Sequence, residues 1–280
     1  MPNGDSASLR TTQYRDSRNL SARLALHERF SVNPLRWHRF VFDHFELPQT
    51  ARVLELGCGM GALWRENAER MPAGWHVVLS DFSPGMLRDA RPGLDAAGRF
   101  TYLGADAQAI PLADASLDGV VANHMLYHVS DVPKAVAEIH RVLKPGGRFY
   151  AATNGRGHLC ELGDLLVEAG MHRDGGEAWT GVIRSFSLEN GADLISPHFP
   201  EVVLHRYADA MEVTEADPLV AYVASMISVQ SSDEDLVRFR EIVEARLARD
   251  GSIHITKDAG LFIAHKADVG LVSNSASVTQ

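Results

Sequence analysis

Cysteine is nearly absent from this chain: Cys58 and Cys160 are the only two among 280 residues. Two thiols exclude a disulfide framework and a four-cysteine zinc site. Long apolar runs are also missing. No stretch approaches the ~20 residues that span a bilayer, and the first thirty residues are polar, without the apolar centre of a secretory signal. Positive charge is in deficit, with 27 Lys and Arg against 36 Asp and Glu, a net charge of −9. With no basic run, non-specific binding to a phosphate backbone is not expected. These absences lead us to expect a soluble, cytoplasmic protein with no nucleic-acid or membrane partner. They leave the oligomeric state open.

What is present is ordinary globular composition: 45% apolar and 22% charged residues, which excludes whole-chain disorder and fibrous repeats. At ~100–200 residues per domain, the length allows one large domain or two small ones. Residues 1–12 and 267–280 are small and polar and are expected to be loose tails.

Between the tails, helical and β-type runs alternate. Helical spacing begins near Asn19 with Leu20, Leu24 and His27, and Ser21 is a candidate cap. Pro34 opens a second stripe, with Trp37, Phe40, Val41 and Phe45, which Pro48 should stop. Strands are expected at 53–56, 76–80, 100–103, 119–122 and 148–152, separated by helices at 62–70, 83–89 and from Asp131 to Leu143. Later come a helix at 158–169, a strand at 202–211, helices carrying Leu219 and Val223 and then Leu236, Phe239, Val243 and Leu247, and a strand at 260–265. Alternation of this kind implies a parallel sheet covered on both faces. Seven strands are enough for one doubly wound α/β sheet, so a single domain is expected over 13–266. Its parts are a helical lid at 13–47, a cofactor-binding core at 51–155, an irregular acceptor-side insertion at 156–200, and C-terminal strands and helices at 201–266.

The chemistry starts at Gly57, Gly59 and Gly61, between the first strand and the next helix. Glycines there let backbone approach a ligand closely. Gly57, Gly59 and Ala62 also satisfy a relaxed dinucleotide fingerprint, with Asp81 about 20 residues on. Glu55 and Asp106 argue against a dinucleotide, while Asp81 fits either ligand; together the three acids suit a cationic adenosyl ligand better. Glu55 lies two residues before Gly57, where it would repel a pyrophosphate but suits an ammonium group. Asp81 ends the second strand, where it can accept from ribose hydroxyls. Asp106 ends the third, where it can accept from an adenine amino group. Taken alone, Asp81 is equally readable as a helix cap, a role open also to Ser83.

These residues resemble the class I S-adenosylmethionine-dependent methyltransferases (methyltransferase type 11), in the branch similar to the ubiquinone and menaquinone methyltransferases. The resemblance is carried by Val53-Leu54-Glu55-Leu56-Gly57-Cys58-Gly59, Leu79-Ser80-Asp81-Phe82-Ser83, Gly104-Ala105-Asp106-Ala107-Gln108 with Ile110-Pro111, and Arg141-Val142-Leu143-Lys144-Pro145-Gly146-Gly147. It implies a Rossmann-like seven-stranded sheet whose last strand is antiparallel, and S-adenosyl-L-methionine as cofactor. Carried over residue by residue, it places Gly57, Gly59 and Gly61 on the methionine part, with Glu55 near the amino group. It places Asp81 on the ribose, Phe82 and Met86 beside the adenine, and Asp106 and the Ala107 amide on the adenine edge. Asn123 would face the methyl-donor end.

Methyl transfer from a sulfonium needs in-line alignment of acceptor, carbon and sulfur, and in some cases a base. The candidate segment is Asn123-His124-Met125-Leu126-Tyr127-His128, beyond the fourth strand. His124 is the candidate base or acceptor-orienting group, with Tyr127 beside it; a hydrogen-bonded pocket histidine is the plainer alternative. His128 matches a histidine common to this branch and reads as structural. His124 and His128 have four-residue spacing but no third ligand nearby, so no metal is expected. The acceptor side should draw on His158, Glu161 and Trp179, with Tyr14 covering the cofactor. Phe186 is open to packing or stacking. The helical segment from Tyr14 to Phe30 is expected to act as a lid. The expected function is methylation of a small-molecule acceptor at oxygen, nitrogen or carbon. A nicotinamide-dependent oxidoreductase, an inactive methyltransferase-like binding protein and nucleic-acid methylation are the competing readings.

Overall fold

The computed structural model describes residues 18–94, 98–171, 182–226 and 232–268. Tyr14, Trp179 and both expected tails lie outside them, apart from 267–268.

Seven strands form one sheet: β1 (Arg52–Leu56), β2 (His76–Asp81), β3 (Phe100–Gly104), β4 (Leu117–Asn123), β5 (Leu143–Asn154), β6 (Glu201–Val213) and β7 (Ile253–His265). Their order is β3-β2-β1-β4-β5-β7-β6. Strands β1 to β5 pair in parallel. β7 runs antiparallel to both β5 and β6, as the resemblance implies. The described helices are α1 (Arg18–Phe30), α2 (Trp37–Asp43), α3 (Ala62–Glu66), α4 (Pro84–Ala90), α5 (Val132–Val142), α6 (Cys160–Glu168), α7 (Gly191–Ile195), α8 (Ala216–Ala224) and α9 (Asp233–Asp250). None is long and apolar enough to cross a membrane.

The central strands read as continuous apolar runs because both faces are covered. On one face Leu54, Val120 and Phe149 pack under Val136 and Ile139 of α5. On the other, Val53, Val121 and Tyr150 pack under Val41, Phe42 and Trp64. Asp131 starts α5 by accepting from the Lys134 amide at 3.0 Å. Ser83 starts α4 in the same way, through the Met86 amide. This leaves Asp81 free of the capping role.

Several boundaries differ from expectation. α2 ends at Asp43, well before Pro48, where His44 leaves helical geometry. α3 ends at Glu66 instead of continuing to Arg70. β5 begins at Leu143, so Pro145-Gly146-Gly147 lies within the strand. β7 begins seven residues before Gly260. That last difference shapes the site. Only residues 259–265 of β7 pair with β5, while all of 253–265 pairs with β6. The outer half of the β6–β7 hairpin therefore stands beyond the sheet and carries a third core, in which Met211, Val213, Ile253 and Ile255 pack with α1, α6, α8 and α9.

The α1 helix is held to this outer unit at its C-terminal end. Leu26 and Phe30 are buried in the third core. Arg23 donates to the Ser225 carbonyl at 2.8 Å, and Ser31 forms a bridge with Met211.

Candidate active site

A cavity of about 670 Å³ opens above the C-terminal ends of β1 to β5, between the sheet and the outer unit. This is where ligands bind in doubly wound sheets. α1 covers it with Arg23, Leu24, His27 and Glu28.

The glycine loop forms one part of the floor. Gly57, Gly59 and Gly61 all have positive φ, at 64°, 53° and 73°. A Cβ on Gly57 would stand 2.7 Å from the Met125 Cβ, so the absent side chain lets this loop approach the segment after β4. Gly61 does not reach the cavity wall; it is the left-handed residue that opens α3. Cys58 is buried, and burial raises its pKa well above the ordinary value. A buried, protonated thiol of this kind fills space.

The three strand-end acids reach the cavity. Glu55 is only 2% exposed, and its carboxylate accepts from Trp64 Nε1 at 2.6 Å. Burial pushes its pKa up to about 8 against that hydrogen bond, and the neighbouring Asp81 adds to the rise. Asp81 accepts from the Gly59 amide at 3.0 Å and the Ser83 amide at 2.7 Å. Its pKa is raised by burial, which outweighs these two bonds. Asp81 thus ties the glycine loop to the entrance of α4. Asp106 accepts from the backbone and side-chain amides of Gln108. Phe82, Met86 and Ala107 line the same end of the cavity.

The segment after β4 lies on the other side. Asn123 Oδ1 accepts from Trp37 Nε1 at 3.1 Å. His124 has a φ of 54°, uncommon for a residue with a side chain, while its amide donates to the Ala152 carbonyl. Its ring lies 4.9 Å from the Trp37 ring. Burial is the main cause that lowers the His124 pKa to about 3, with His38 and Lys257 adding to it. Burial likewise lowers His128 to about 4. Leu126–His128 form a short 3-10 turn, in which Tyr127 and His128 both face the cavity.

His158 lines the cavity, its ring stacked on His27 at 6.2 Å. Glu161 does not. Its two oxygens accept from the Thr256 amide at 2.8 Å and the Thr256 hydroxyl at 2.6 Å, so its contact is with β7. Phe186 is fully buried against Phe262, which makes it core. Trp37 moves the opposite way. Read as one of a packing stripe, it lines the cavity, and Phe42 takes the buried place. Sequence reasoning also missed Lys257, Tyr207 and the site position of His27. The available signals were the helical stripe that contains His27 and the alternation Ile253-His254-Ile255 leading into Lys257.

Comparison with known proteins agrees with this architecture. Residues 54–151 match the family model described as "Methyltransferase domain". The 2-phytyl-1,4-naphtoquinone methyltransferase of Thermosynechococcus vestitus is 38% identical over 112 residues, 40% of this chain and 50% of that protein. The demethylmenaquinone methyltransferase of Thermus thermophilus is 40% identical over 116 residues, 41% of this chain and 52% of that protein. The chain thus spans about half the length of these relatives. Among solved structures, Haemonchus contortus phosphoethanolamine N-methyltransferase 2 in complex with S-adenosyl-L-methionine matches with a TM-score of 0.60 at 21% identity, over 96% of this chain and 62% of that one. The match at that identity speaks for the fold. The residues matched to the methyltransferase-domain model run from β1 to β5 and hold Glu55, the glycines, Asp81, Asp106 and His124.

Proposed function

We propose that the protein transfers a methyl group from S-adenosyl-L-methionine to a small-molecule acceptor. The observation that carries this reading is the set of three carboxylates at the mouths of β1, β2 and β3 around a glycine loop that a Cβ would obstruct. Glu55 is a carboxylate whose pKa burial raises to about 8, with no counter-charge among the groups that shift it. A ligand ammonium group would supply one.

The bound cofactor supplies an electrophilic methyl group on a positively charged sulfur. Glu55 takes the amino group, and Gly57 and Gly59 lie along the methionine part. Asp81 would receive the ribose hydroxyls, and Asp106 and the Ala107 amide would take the adenine edge, with Phe82 and Met86 beside it. Asn123, held by Trp37, sits at the donor end. His124 orients the acceptor and accepts its proton where the nucleophile is protic, with Tyr127 beside it. Transfer is an in-line displacement, and its barrier is lowered by holding the reactants aligned. α1 roofs the cavity and keeps water from the reacting atoms.

Calorimetry with S-adenosylmethionine, S-adenosylhomocysteine and a nicotinamide dinucleotide tests the cofactor. Mass spectrometry of metabolite extracts incubated with the enzyme and its methyl donor then searches for products that gain a methyl group.

A further inference from the structure

The cavity is chemically two-sided. Acids gather at the mouths of β1 to β3. The opposite wall, built from α1, the residue after β4, the turn leading into α6 and the outer half of β7, presents nitrogen bases: His27, His124, His158 and Lys257. These residues are remote in sequence, and only the projecting β6–β7 hairpin brings Lys257 among the imidazoles.

Their immediate surroundings define what this wall offers. His27 and His158 stack with an interplanar angle of 22°, and the edge of Tyr222 meets His27 at 5.9 Å. Lys257 Nζ lies 5.6 Å from the centre of the Tyr207 ring. It donates to Ser31 Oγ at 2.8 Å and to Asp209. An ammonium group has three donors, so one remains for a ligand. Asp209 is wholly buried and also accepts from Ser31, the Asn33 amide and the Ala210 amide. It stands behind Lys257 and does not line the cavity. The ligand space therefore meets the ammonium and not its counter-ion. Among the described residues, Nδ1 of His27, His124 and His158 is buried and has no hydrogen-bond partner.

The other charges on this side are already engaged. Glu66 Oε2 accepts from His38 at 3.1 Å, and Oε1, which has no hydrogen bond among the described residues, is ion-paired with Arg36 at 3.8 Å and Arg39 at 3.7 Å. Glu28 pairs with Arg36 across 3.7 Å. Arg23 is anchored on Ser225.

We propose that the acceptor is an organic acid whose carboxylate is anchored on Lys257, with His27 and His158 beside it; this rests on the methyltransferase reading above. A carboxylate can accept the third Lys257 donor and a ring N–H from the stacked pair, and charge-assisted bonds of this kind are the strong ones. An ammonium acceptor would instead be placed against a cation. Loading the recess with an anion also favours imidazolium. All three imidazoles are held below their ordinary pKa by burial first, with Lys257 contributing to each, so an acid ligand should bind with uptake of a proton.

The test uses the full chain saturated with S-adenosylhomocysteine and three probes of like shape: benzoate, benzamide and benzylamine. Calorimetry in two buffers of different ionisation enthalpy is expected to show benzoate binding at least about tenfold tighter than benzamide, as a charge-assisted bond would give, with proton uptake for benzoate alone. The preference should vanish in the double variant Lys257→Met with Asp209→Asn, which removes the buried pair together, while affinity for S-adenosylhomocysteine stays unchanged. His158→Phe supplies a second variant that keeps the ion pair, and it should diminish the proton uptake. Benzoate binding that is absent, no tighter than benzamide, or weaker than benzylamine would overturn the acid anchor, and so would a preference that survives in the double variant or a proton uptake unchanged in His158→Phe. Failure to bind S-adenosylhomocysteine at all would instead remove the methyltransferase reading, and this inference with it.

Discussion

Trp64 Nε1 donates to the buried carboxylate of Glu55 at 2.6 Å. The bond joins the first turn after the glycine loop to the strand before it, and it is the one hydrogen bond that stabilises the ionised form of Glu55 against burial. Burial wins, and the pKa stands near 8.

That balance has a pH consequence. With its folded pKa raised above the unfolded value, Glu55 holds a proton in the folded protein between roughly pH 4.5 and pH 8 that the unfolded chain has lost. Its contribution to stability therefore falls as pH rises through that window. A ligand ammonium beside Glu55 favours the carboxylate, so binding of S-adenosylhomocysteine near neutral pH should release a proton and strengthen as pH approaches about 8. Calorimetry in paired buffers measures the release, and Glu55→Gln should abolish it. Equal proton release by the variant would dissociate Glu55 from the amino group.

Gly57→Ala puts a Cβ 2.7 Å from the Met125 Cβ at a residue with φ of 64°. Strain and displacement of the post-β4 segment should cost about 1–3 kcal/mol of stability and weaken cofactor binding. Denaturant unfolding and calorimetry report the two effects. A variant as stable as the parent would mean that the two loops are not packed together in solution.

His124→Ala should lower turnover for a protic acceptor, by less than the about 10²–10⁴-fold of a base whose pKa matches the working pH, and leave affinity for S-adenosylhomocysteine nearly unchanged. The pKa of His124 is lowered to about 3, so the imidazole is unprotonated throughout the neutral range. The pH–rate profile should show no limb from His124 near pH 6.5; any such limb lies in strong acid. Wild-type turnover in the variant would leave His124 with a packing role.

The described part of α1 covers the cavity, and its last turn is fastened by Leu26, Phe30 and the Ser31–Met211 bridge. Hydrogen exchange should show residues 26–30 protected with and without S-adenosylhomocysteine. Ligand-induced protection, the sign of a closing lid, should be confined to residues before Leu26. Fast exchange of 26–30 in the ligand-free protein would show that the whole helix moves.

The parts legible in the sequence share one physical cause. β1, β2 and β4 are buried on both faces, so their residues form apolar runs, and acids or amides at their ends stand out against them. Glu55, Asp81 and Asn123 were visible for that reason, as was Asp106 from its motif. The acceptor wall was not visible, because it depends on contacts far apart in the chain. Lys257 meets Ser31 across 226 positions, and the outer half of β7 alternates apolar and polar residues with no long apolar run. Helical spacing put Trp37 on the correct stripe but could not tell core from cavity. Glu161 follows the fifth strand as a site residue would, yet both its oxygens are taken by Thr256, 95 positions later.

In the proposed function, Glu55, Asp81 and Asp106 form one S-adenosylmethionine site. It is tested most directly by titrating the full chain and Asp81→Ala with S-adenosylhomocysteine in a calorimeter. One site per chain is expected in the parent. The variant should lose ~1.5–3 kcal/mol of binding, the range for hydrogen bonds to a charged group, with the sheet intact by circular dichroism. An unchanged dissociation constant in a folded variant, or no binding by the parent, would contradict it.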